Sequence, residues 1–319
     1  MSKPPLVVIA GPTAVGKTAL AIALAQKLNA EIISADSMQV YRYMDIGTAK
    51  PSPAERQGIK HHLIDLVTPD CDFSVSDYQN YFHPALASIL AAGKLPIFSG
   101  GTGLYIRACL ESFLTDNPAG ADPEFRRVLH ERAERDGSAA LHQELQRIDP
   151  SAAGRIHPND LRRVIRALEV YHSTGRPFSE LQSRQPGETK YQVIYIFLDR
   201  DRTELYQRID ERVEQMFKQG LVAEVRMLMD RGYGPDLKPM QSLGYRQICS
   251  FLHGSCTLDQ AIAEMKSRTR NYAKRQLTWF RREPVDFWVN LSEKQSNNGF
   301  PREIFLEILE YLEGRLERM

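Results

Sequence analysis

The residues with the clearest chemical potential form a glycine-rich segment near the start of the chain. Gly11-Pro-Thr-Ala-Val-Gly-Lys-Thr18 fits the phosphate-loop pattern GxxxxGK(S/T), between an apolar run and a helical pattern. Such loops bind phosphate because successive backbone N–H groups converge on its oxygens at the positive end of a helix. We expect Lys17 to contact the outer phosphate and Thr18 to ligate Mg²⁺. The residues expected to hold phosphate are Gly11, Thr13, Ala14, Val15, Gly16, Lys17 and Thr18.

A second glycine-rich stretch limits what that loop can do. Leu95 to Gly103 reads LPIFSGGTG and lacks the acidic residue that a nucleoside triphosphatase carries after the corresponding strand. Gly101 and Gly103 fit the dinucleotide pattern GxGxxG only in part, so we exclude that function. Between the two glycines, Thr102 is expected to cap the next helix or to contact a substrate.

Asp36 and Gln39 follow the second predicted strand, where ligands bind in open α/β sheets. The Asp36 carboxylate could accept a proton or hold a metal, and a turn or helix-cap aspartate is the alternative. Gln39 offers the donor and acceptor pair that binds an adenine edge. A surface glutamine without function is its alternative.

Alternating strands and helices would position these residues. Apolar runs separated by helical patterns predict a parallel sheet covered by helices on both faces, an α/β P-loop core. Strand signals are missing from 115 to 187, which predicts an inserted all-helical lobe. We therefore expect a core of residues 1–114 and 188–319, the latter with C-terminal helices. The predicted strands are Leu6–Ala10, Glu31–Ala35, His62–Val67, Leu95–Ser99, Gln192–Leu198 and Val285–Val289. The predicted helices include Pro123–Asp136, Ser138–Ile148, Pro158–Thr174, Arg202–Lys218, Leu221–Asp230, Leu258–Arg282 and Arg302–Arg315.

Composition and charge narrow the class of partner. The 319 residues are 42% hydrophobic and 25% charged, which is ordinary globular usage, and the formal net charge is only +1. Affinity for a polyanion must therefore come from local clustering. Between Lys266 and Arg282 stand seven basic residues and no acid, with Tyr272, Trp279 and Phe280 among them. Such a segment could stack on single-stranded RNA bases, or it could be a solvated helix face.

Other features carry less chemistry. The apolar run Leu6–Ala10 is far shorter than the ~20 residues of a membrane span, so we expect a cytoplasmic protein without a membrane partner. We also expect the protein to be a monomer. Four scattered cysteines favour neither a disulfide nor a zinc site. His61 and His62 are expected to be structural.

Eight ordered motifs resemble those of the bacterial tRNA dimethylallyltransferases. They are Gly11–Thr18, Asp36–Tyr41, Gly47–Lys50, His61–Asp65, Ser99–Tyr105, His157–Asp160 with Arg163–Tyr171, Gln241–Arg246 and Lys274–Arg281. The resemblance implies transfer of the dimethylallyl group of dimethylallyl diphosphate to N6 of the adenine beside the tRNA anticodon, with Mg²⁺. The phosphate loop would then hold a diphosphate leaving group, which explains the missing acid.

The resemblance also implies roles for individual residues. Asp36 would be the general base, with Lys17, Arg212 and Thr102 as further catalytic residues, while Arg208 is expected on a solvated helix face. The helical lobe would grip the anticodon stem-loop. The residues implied in tRNA binding are Asp36, Ser37, Met38, Gln39, Thr102, Asp160, Arg162, Arg163, Gln241, Gly244, Tyr245, Arg246, Lys274, Arg275, Gln276, Trp279, Phe280 and Arg281.

Three other functions fit part of the pattern. A small-molecule P-loop kinase would turn over ATP, and the missing acid after Phe98 disfavours it. A non-catalytic RNA-binding protein would not need Gly16, Lys17 and Thr18. A transferase acting on free AMP would need neither the helical lobe nor the basic helix.

Overall fold

The computed structural model describes residues 3–111, 122–182, 189–292 and 301–318. Within them six strands form one sheet, ordered β3-β2-β4-β1-β5-β6, in which every neighbouring pair is parallel. The predicted α/β class with a parallel sheet is confirmed. The strands are β1 (Pro5–Ala10), β2 (Ala30–Ala35), β3 (His61–His62), β4 (Leu95–Gly100), β5 (Gln192–Asp199) and β6 (Phe287–Asn290).

Helices cover this sheet and also form a separate group. The sheet-associated helices are α1 (Lys17–Lys27), α2 (Val75–Ala91), α3 (Gly103–Leu110), α9 (Arg202–Lys218), α10 (Leu221–Asp230), α11 (Tyr245–Leu252), α12 (Leu258–Phe280) and α13 (Arg302–Leu316). The separate group is α4 (Pro123–Asp136), α5 (Ser138–Ile148), α6 (Pro150–Ala153), α7 (Leu161–Thr174) and α8 (Phe178–Gln182). Helix α7 begins after the expected Pro158, because the Asp160 side chain caps it by accepting from the N–H of Arg163.

Strand β3 is much shorter than the predicted His62–Val67. Leu63 and Asp65 adopt φ angles of 62° and 55°, which are left-handed and leave the strand conformation. The chain therefore turns out of the sheet after His62, and Val67 makes only an isolated bridge to Tyr41. The prediction was wrong over residues 63–67.

The chain divides into two compact units, each with its own core. One contains residues 1–109 and 190–319, and the other contains residues 110–189. In the first, Val7, Ile9, Leu20 and Leu24 are fully buried between the sheet and its helices. In the second, the core includes Leu129, Leu141, Leu145, Val164 and Leu168. The boundaries expected at 114/115 and 187/188 lie outside the described residues.

Among the helices that the structure describes, none is long and apolar enough to span a membrane. The four cysteines are free, and Cys109 and Cys249 are buried.

Candidate active site

The phosphate loop connects β1 to α1 at the carboxyl edge of the sheet. Within it, Ala14 with φ 64° and Gly16 with φ 118° have left-handed backbone conformations. The Lys17 ammonium donates to the carbonyl oxygens of Gly11 and Pro12, at 2.9 and 2.7 Å, so it lies over the loop. This is the position in which a P-loop lysine meets a bound phosphate group.

Two arginines near the start of α9 hold the carbonyl side of the loop. Nε of Arg200 donates to the Val15 oxygen at 3.0 Å, and Nε of Arg208 donates to the Ala14 oxygen at 3.1 Å. The N–H and C=O of a trans peptide point in opposite directions, so these two peptide groups direct their N–H away from the arginines. Arg208 is exposed, as expected for a solvated helix face, but it also braces the loop.

Lys17 lies among other charged groups. Burial is the main cause that lowers its pKa to about 7, the neighbouring Arg212 charge lowers it further, and Asp36 opposes both. Burial likewise lowers the pKa of Arg212, against the charges of Asp36 and Glu55. Two cations are thus held close together beside one carboxylate, and a bound polyanion would favour their charged forms.

Asp36 is fixed by the turn that follows β2. Its Oδ1 accepts from the N–H of Met38 at 2.9 Å. The Thr102 N–H donates to the Ala35 oxygen at 3.1 Å, and the Thr102 hydroxyl accepts from the N–H of Ser37 at 3.1 Å. Thr102 therefore ties the residues on both sides of Asp36 to the start of α3. Thr102 also immediately precedes α3, where its carbonyl oxygen accepts from the N–H groups of Tyr105 and Ile106.

Gln276 on α12 joins the phosphate loop to the turn after β4. Its Oε1 accepts from the N–H of Thr13, and its Nε2 donates to the Gly101 oxygen, both at 2.9 Å. Because Gln276 is buried and its amide makes these bonds, it lies inside the site rather than on an RNA-facing surface. Tyr272, one turn earlier, also lies in the site, and burial raises its pKa to about 12.

Most of these residues line one cavity of about 1480 Å³. A pocket for one drug-sized ligand measures roughly 300–1,000 Å³, so this cavity has room for two reactants. Its lining includes the loop residues Thr13, Ala14, Gly16, Lys17 and Thr18, together with Asp36, Gln39, Arg212, Tyr272 and Gln276. The structure thus brings five of the seven expected diphosphate residues and the expected base into one space, whereas Gly11 and Val15 are buried and do not line the cavity.

Thr18, His61 and His62 are the residues for which a metal-binding or a structural role was expected. Over the described ranges, no three His, Cys, Asp or Glu side chains are arranged to hold a metal ion. Thr18 is exposed and lines the cavity. His62 bonds the Glu31 carboxylate at 2.6 Å, a structural contact, while His61 lines the cavity and bonds the Ile59 oxygen at 3.0 Å. Burial lowers the pKa of His61.

The residues implied in tRNA binding divide by exposure. On α12, Lys274 and Arg275 are exposed, as is Arg281 just beyond it, and Trp279 is half-buried under the Arg107 guanidinium at 4.7 Å. Phe280 is fully buried, with its ring centroid 5.2 Å from that of Phe197. The prediction that Phe280 could stack on bases was wrong, because this ring belongs to the core.

The Gln241–Arg246 motif is also only partly accessible. Gln241 and Arg246 are exposed, whereas Gly244 and Tyr245 are buried. Gly244 has φ 93°, which favours glycine at the start of α11. In the helical unit, Arg162 and Arg163 are exposed, and Asp160 is occupied as the cap of α7.

Three residues of the site were not foreseen from the sequence in the roles that the structure gives them: Arg200, Tyr272 as a cavity residue, and Gln276 as a bridge. Tyr272 and Gln276 lie within the basic stretch between Lys266 and Arg282, whose charge density predicted contacts with RNA instead.

Comparison with known proteins agrees with this geometry. The IPP transferase family model matches residues 39–283. A tRNA dimethylallyltransferase of Desulforudis audaxviator is 50% identical over 301 residues, covering 94% of this chain and 96% of that one. A tRNA dimethylallyltransferase of Geobacillus thermodenitrificans is 47% identical over 312 residues, covering 98% and 97%.

Solved structures give the same result. The tRNA isopentenylpyrophosphate transferase of Bacillus halodurans is 42% identical with a TM-score of 0.73, covering 99% of this chain and 98% of that one. A eukaryotic dimethylallyltransferase acting on tRNA is 30% identical with a TM-score of 0.77, covering 91% and 74%. The chain therefore belongs to the IPP transferase family, the prenyltransferases that include the tRNA dimethylallyltransferases.

Proposed function

We propose that the chain transfers the dimethylallyl group of dimethylallyl diphosphate to N6 of the adenine adjacent to the anticodon in tRNA. The observation that carries this proposal is the shared cavity, in which Lys17 and Arg212 lie on the phosphate-loop side and Asp36 follows β2. A cation cluster suits the diphosphate that departs, and a carboxylate suits the amine that attacks. Both are needed for substitution at an allylic carbon.

The loop serves the departure of diphosphate. When the allylic C–O bond breaks, its electron pair goes to the diphosphate oxygen, and charge grows there. The loop N–H groups, the Lys17 ammonium and the Arg212 guanidinium stabilise this charge as it develops. Arg200, Arg208 and Gln276 keep the loop in the required shape through bonds to Val15, Ala14 and Thr13.

Mg²⁺ fits the donor set of this loop. The ion prefers a few protein oxygens together with substrate phosphates and water, rather than a cage of side chains. The exposed Thr18 hydroxyl at the first turn of α1 meets that need, and it would hold the ion against the diphosphate. When bound, Mg²⁺ supplies further positive charge to the leaving oxygens.

Asp36 serves the attacking amine. The N6 lone pair forms the new C–N bond, and the Asp36 carboxylate accepts the proton that N6 loses. The bonds from Met38 to Asp36 and from Ser37 to Thr102 hold the carboxylate at the end of β2. The adenine must leave its base stack to reach this position.

The tRNA would be held through phosphate contacts by exposed cations on each unit. Lys274, Arg275 and Arg281 offer them on the sheet-containing unit, and Arg162 and Arg163 offer them on the helical unit. Such contacts position a nucleic acid without reading its sequence. Gln39, which lines the cavity, could bind the edge of the adenine.

Labelled dimethylallyl diphosphate, Mg²⁺ and unmodified tRNA test the proposal. We expect label on adenine, and we expect Asp36→Asn to lower kcat by about 10²–10⁴-fold while tRNA still binds. Asp70→Asn removes an exposed carboxylate and should leave turnover unchanged. Full turnover in Asp36→Asn would remove this residue from the mechanism. A wild-type protein that hydrolyses nucleoside triphosphates and ignores the prenyl donor would overturn the function itself.

A further inference from the structure

Glu224 is a buried carboxylate that the proposed mechanism does not use. Its Oε2 accepts from the N–H groups of Asp45 and Ile46, at 3.0 and 2.7 Å. Its Oε1 accepts from the N–H of Gly47 at 3.1 Å and from the Tyr245 hydroxyl at 2.6 Å. An ionised carboxylate accepts four bonds and donates none, so this side chain suits four converging donors as a neutral group could not.

The donors belong to a tightly closed segment, Asp45–Lys50. The buried Lys50 ammonium donates to the Tyr41 carbonyl at 2.8 Å and to the carboxylates of Asp45 and Asp65, both at 2.6 Å. Ala49 has φ 46°, a left-handed conformation that costs free energy in a residue other than glycine. Surrounding contacts must therefore hold the segment in this shape.

Tyr245 fixes the same segment from the side. A Cβ added at Gly47 would lie 2.5 Å from its ring, so the backbone of Gly47 packs directly on the tyrosine. Burial and the charge of Glu224 raise the pKa of Tyr245, which keeps its hydroxyl protonated as a donor. The Gly47–Lys50 and Gln241–Arg246 motifs thus meet at one carboxylate on α10.

The segment in turn orients a residue of the active-site cavity. Nε2 of Gln39 donates to the carbonyl oxygens of Thr48 and Ala49, at 3.4 and 3.5 Å, and its Oε1 accepts from the Ser34 hydroxyl at 2.8 Å. The two carbonyls set which way the Gln39 amide points. Asp45, Ile46, Ala49 and Lys50 line the cavity as well.

We propose that Glu224 is a positioning residue for the purine acceptor: its carboxylate fixes residues 45–47, and through the segment Asp45–Lys50 it orients the Gln39 amide in the cavity that Asp36 also lines. The proposal rests on the proposed function, because it assigns Gln39 to the purine base of the acceptor. The hydrogen bonds described for Glu224 go to Asp45, Ile46, Gly47 and Tyr245, which all lie outside the phosphate loop. The two substrates should therefore respond differently to the loss of Glu224.

Glu224→Gln tests this separation. A carboxamide has one acceptor oxygen, so about half of the four bonds are lost. We expect kcat/KM for tRNA to fall about 10- to 100-fold, the cost of buried donors left without partners. The KM for dimethylallyl diphosphate should stay within about twofold, since the loop contacts are intact. Asp230→Asn on the same helix removes an exposed carboxylate and should change neither quantity.

A double-mutant cycle separates positioning from general loss of structure. If Glu224 acts through Gln39, then Glu224→Gln should cost less than about threefold in kcat/KM for tRNA once Gln39→Ala is present. Tyr245→Phe keeps the ring and removes one donor, so it repeats the cycle with a smaller change if Glu224→Gln fails to fold.

Two outcomes would overturn the proposal: losses that multiply across the cycle, or equal changes in the KM of both substrates. Wild-type protein that transfers no prenyl group would refute the proposed function instead.

Discussion

Lys17 shows how one residue couples charge to ligand binding. Its ammonium is held by two carbonyl oxygens in a site that disfavours positive charge, and its pKa is lowered to about 7, mainly by burial. At neutral pH the free protein is therefore divided between charged and neutral lysine. A diphosphate in the loop favours the charged form, so its binding must raise this pKa.

The affinity for dimethylallyl diphosphate should therefore fall with pH. Above about pH 7 the free lysine is mostly neutral and the bound lysine is charged, so binding takes up a proton and log Ka falls by up to about one per pH unit. Calorimetry in two buffers of different ionisation enthalpy measures this uptake.

Lys17→Arg provides the control, since a guanidinium stays charged and the pH dependence of that variant reports the ligand alone. Identical pH profiles for the two proteins would contradict the prediction.

At the scale of elements, the sequence predicted local features such as helix bounds better than contacts between residues that are far apart in the chain. Helices Pro123–Asp136 and Arg202–Lys218 have the bounds that their periodicity indicated. The rule that ligands bind at the carboxyl ends of parallel strands predicted that Asp36 and the phosphate loop would lie at the same edge of the sheet. The bond between Thr13 and Gln276 could not be predicted in this way, because 263 residues separate its partners.

Helix α12 shows why the basic stretch was only partly understood. Ala273, Gln276 and Phe280 are buried at helical spacing, while Lys274 and Arg275 are exposed. Counting charges along the sequence merged these two faces into one expected RNA surface. The helical period separates them and assigns Gln276 and Phe280 to the interior.

Gln276→Leu should show how much the buried face of α12 contributes to stability. Leucine keeps much of the volume but leaves the Thr13 N–H and the Gly101 carbonyl without partners, at a cost of about 1–3 kcal/mol in the free energy of unfolding. The KM for dimethylallyl diphosphate should rise as well, because the loop loses a brace.

Urea denaturation measures the free energy of unfolding, and Thr278→Val on the exposed face of the same helix is the control. Equal unfolding free energies for Gln276→Leu and wild type would show that the bridge contributes nothing.

At the scale of the whole molecule, a net charge of +1 gives little general attraction to RNA. Ion pairs also neutralise part of the charge of the basic stretch between Lys266 and Arg282. Lys266 pairs with Glu214, Arg268 with Glu264 and Arg270 with Asp210. Within the part of the chain described, Lys274, Arg275 and Arg282 form no ion pair. Together with Arg107 they line a cavity of about 320 Å³. Three cations without an ion pair among the described residues thus lie together at this cavity.

Salt dependence should distinguish free from paired cations. If Lys274 contacts a tRNA phosphate, Lys274→Gln weakens binding and lowers the slope of log Kd against log salt by about one, because one fewer counterion is released. Lys266→Gln removes the same charge from the same helix. Its ammonium already bonds Glu214 at 2.6 Å, so the slope should stay close to that of wild type. Fluorescence anisotropy with labelled tRNA across about 50 to 200 mM salt measures both slopes. Equal slopes for the two variants would mean that tRNA phosphates do not contact Lys274 and are held elsewhere on the molecule.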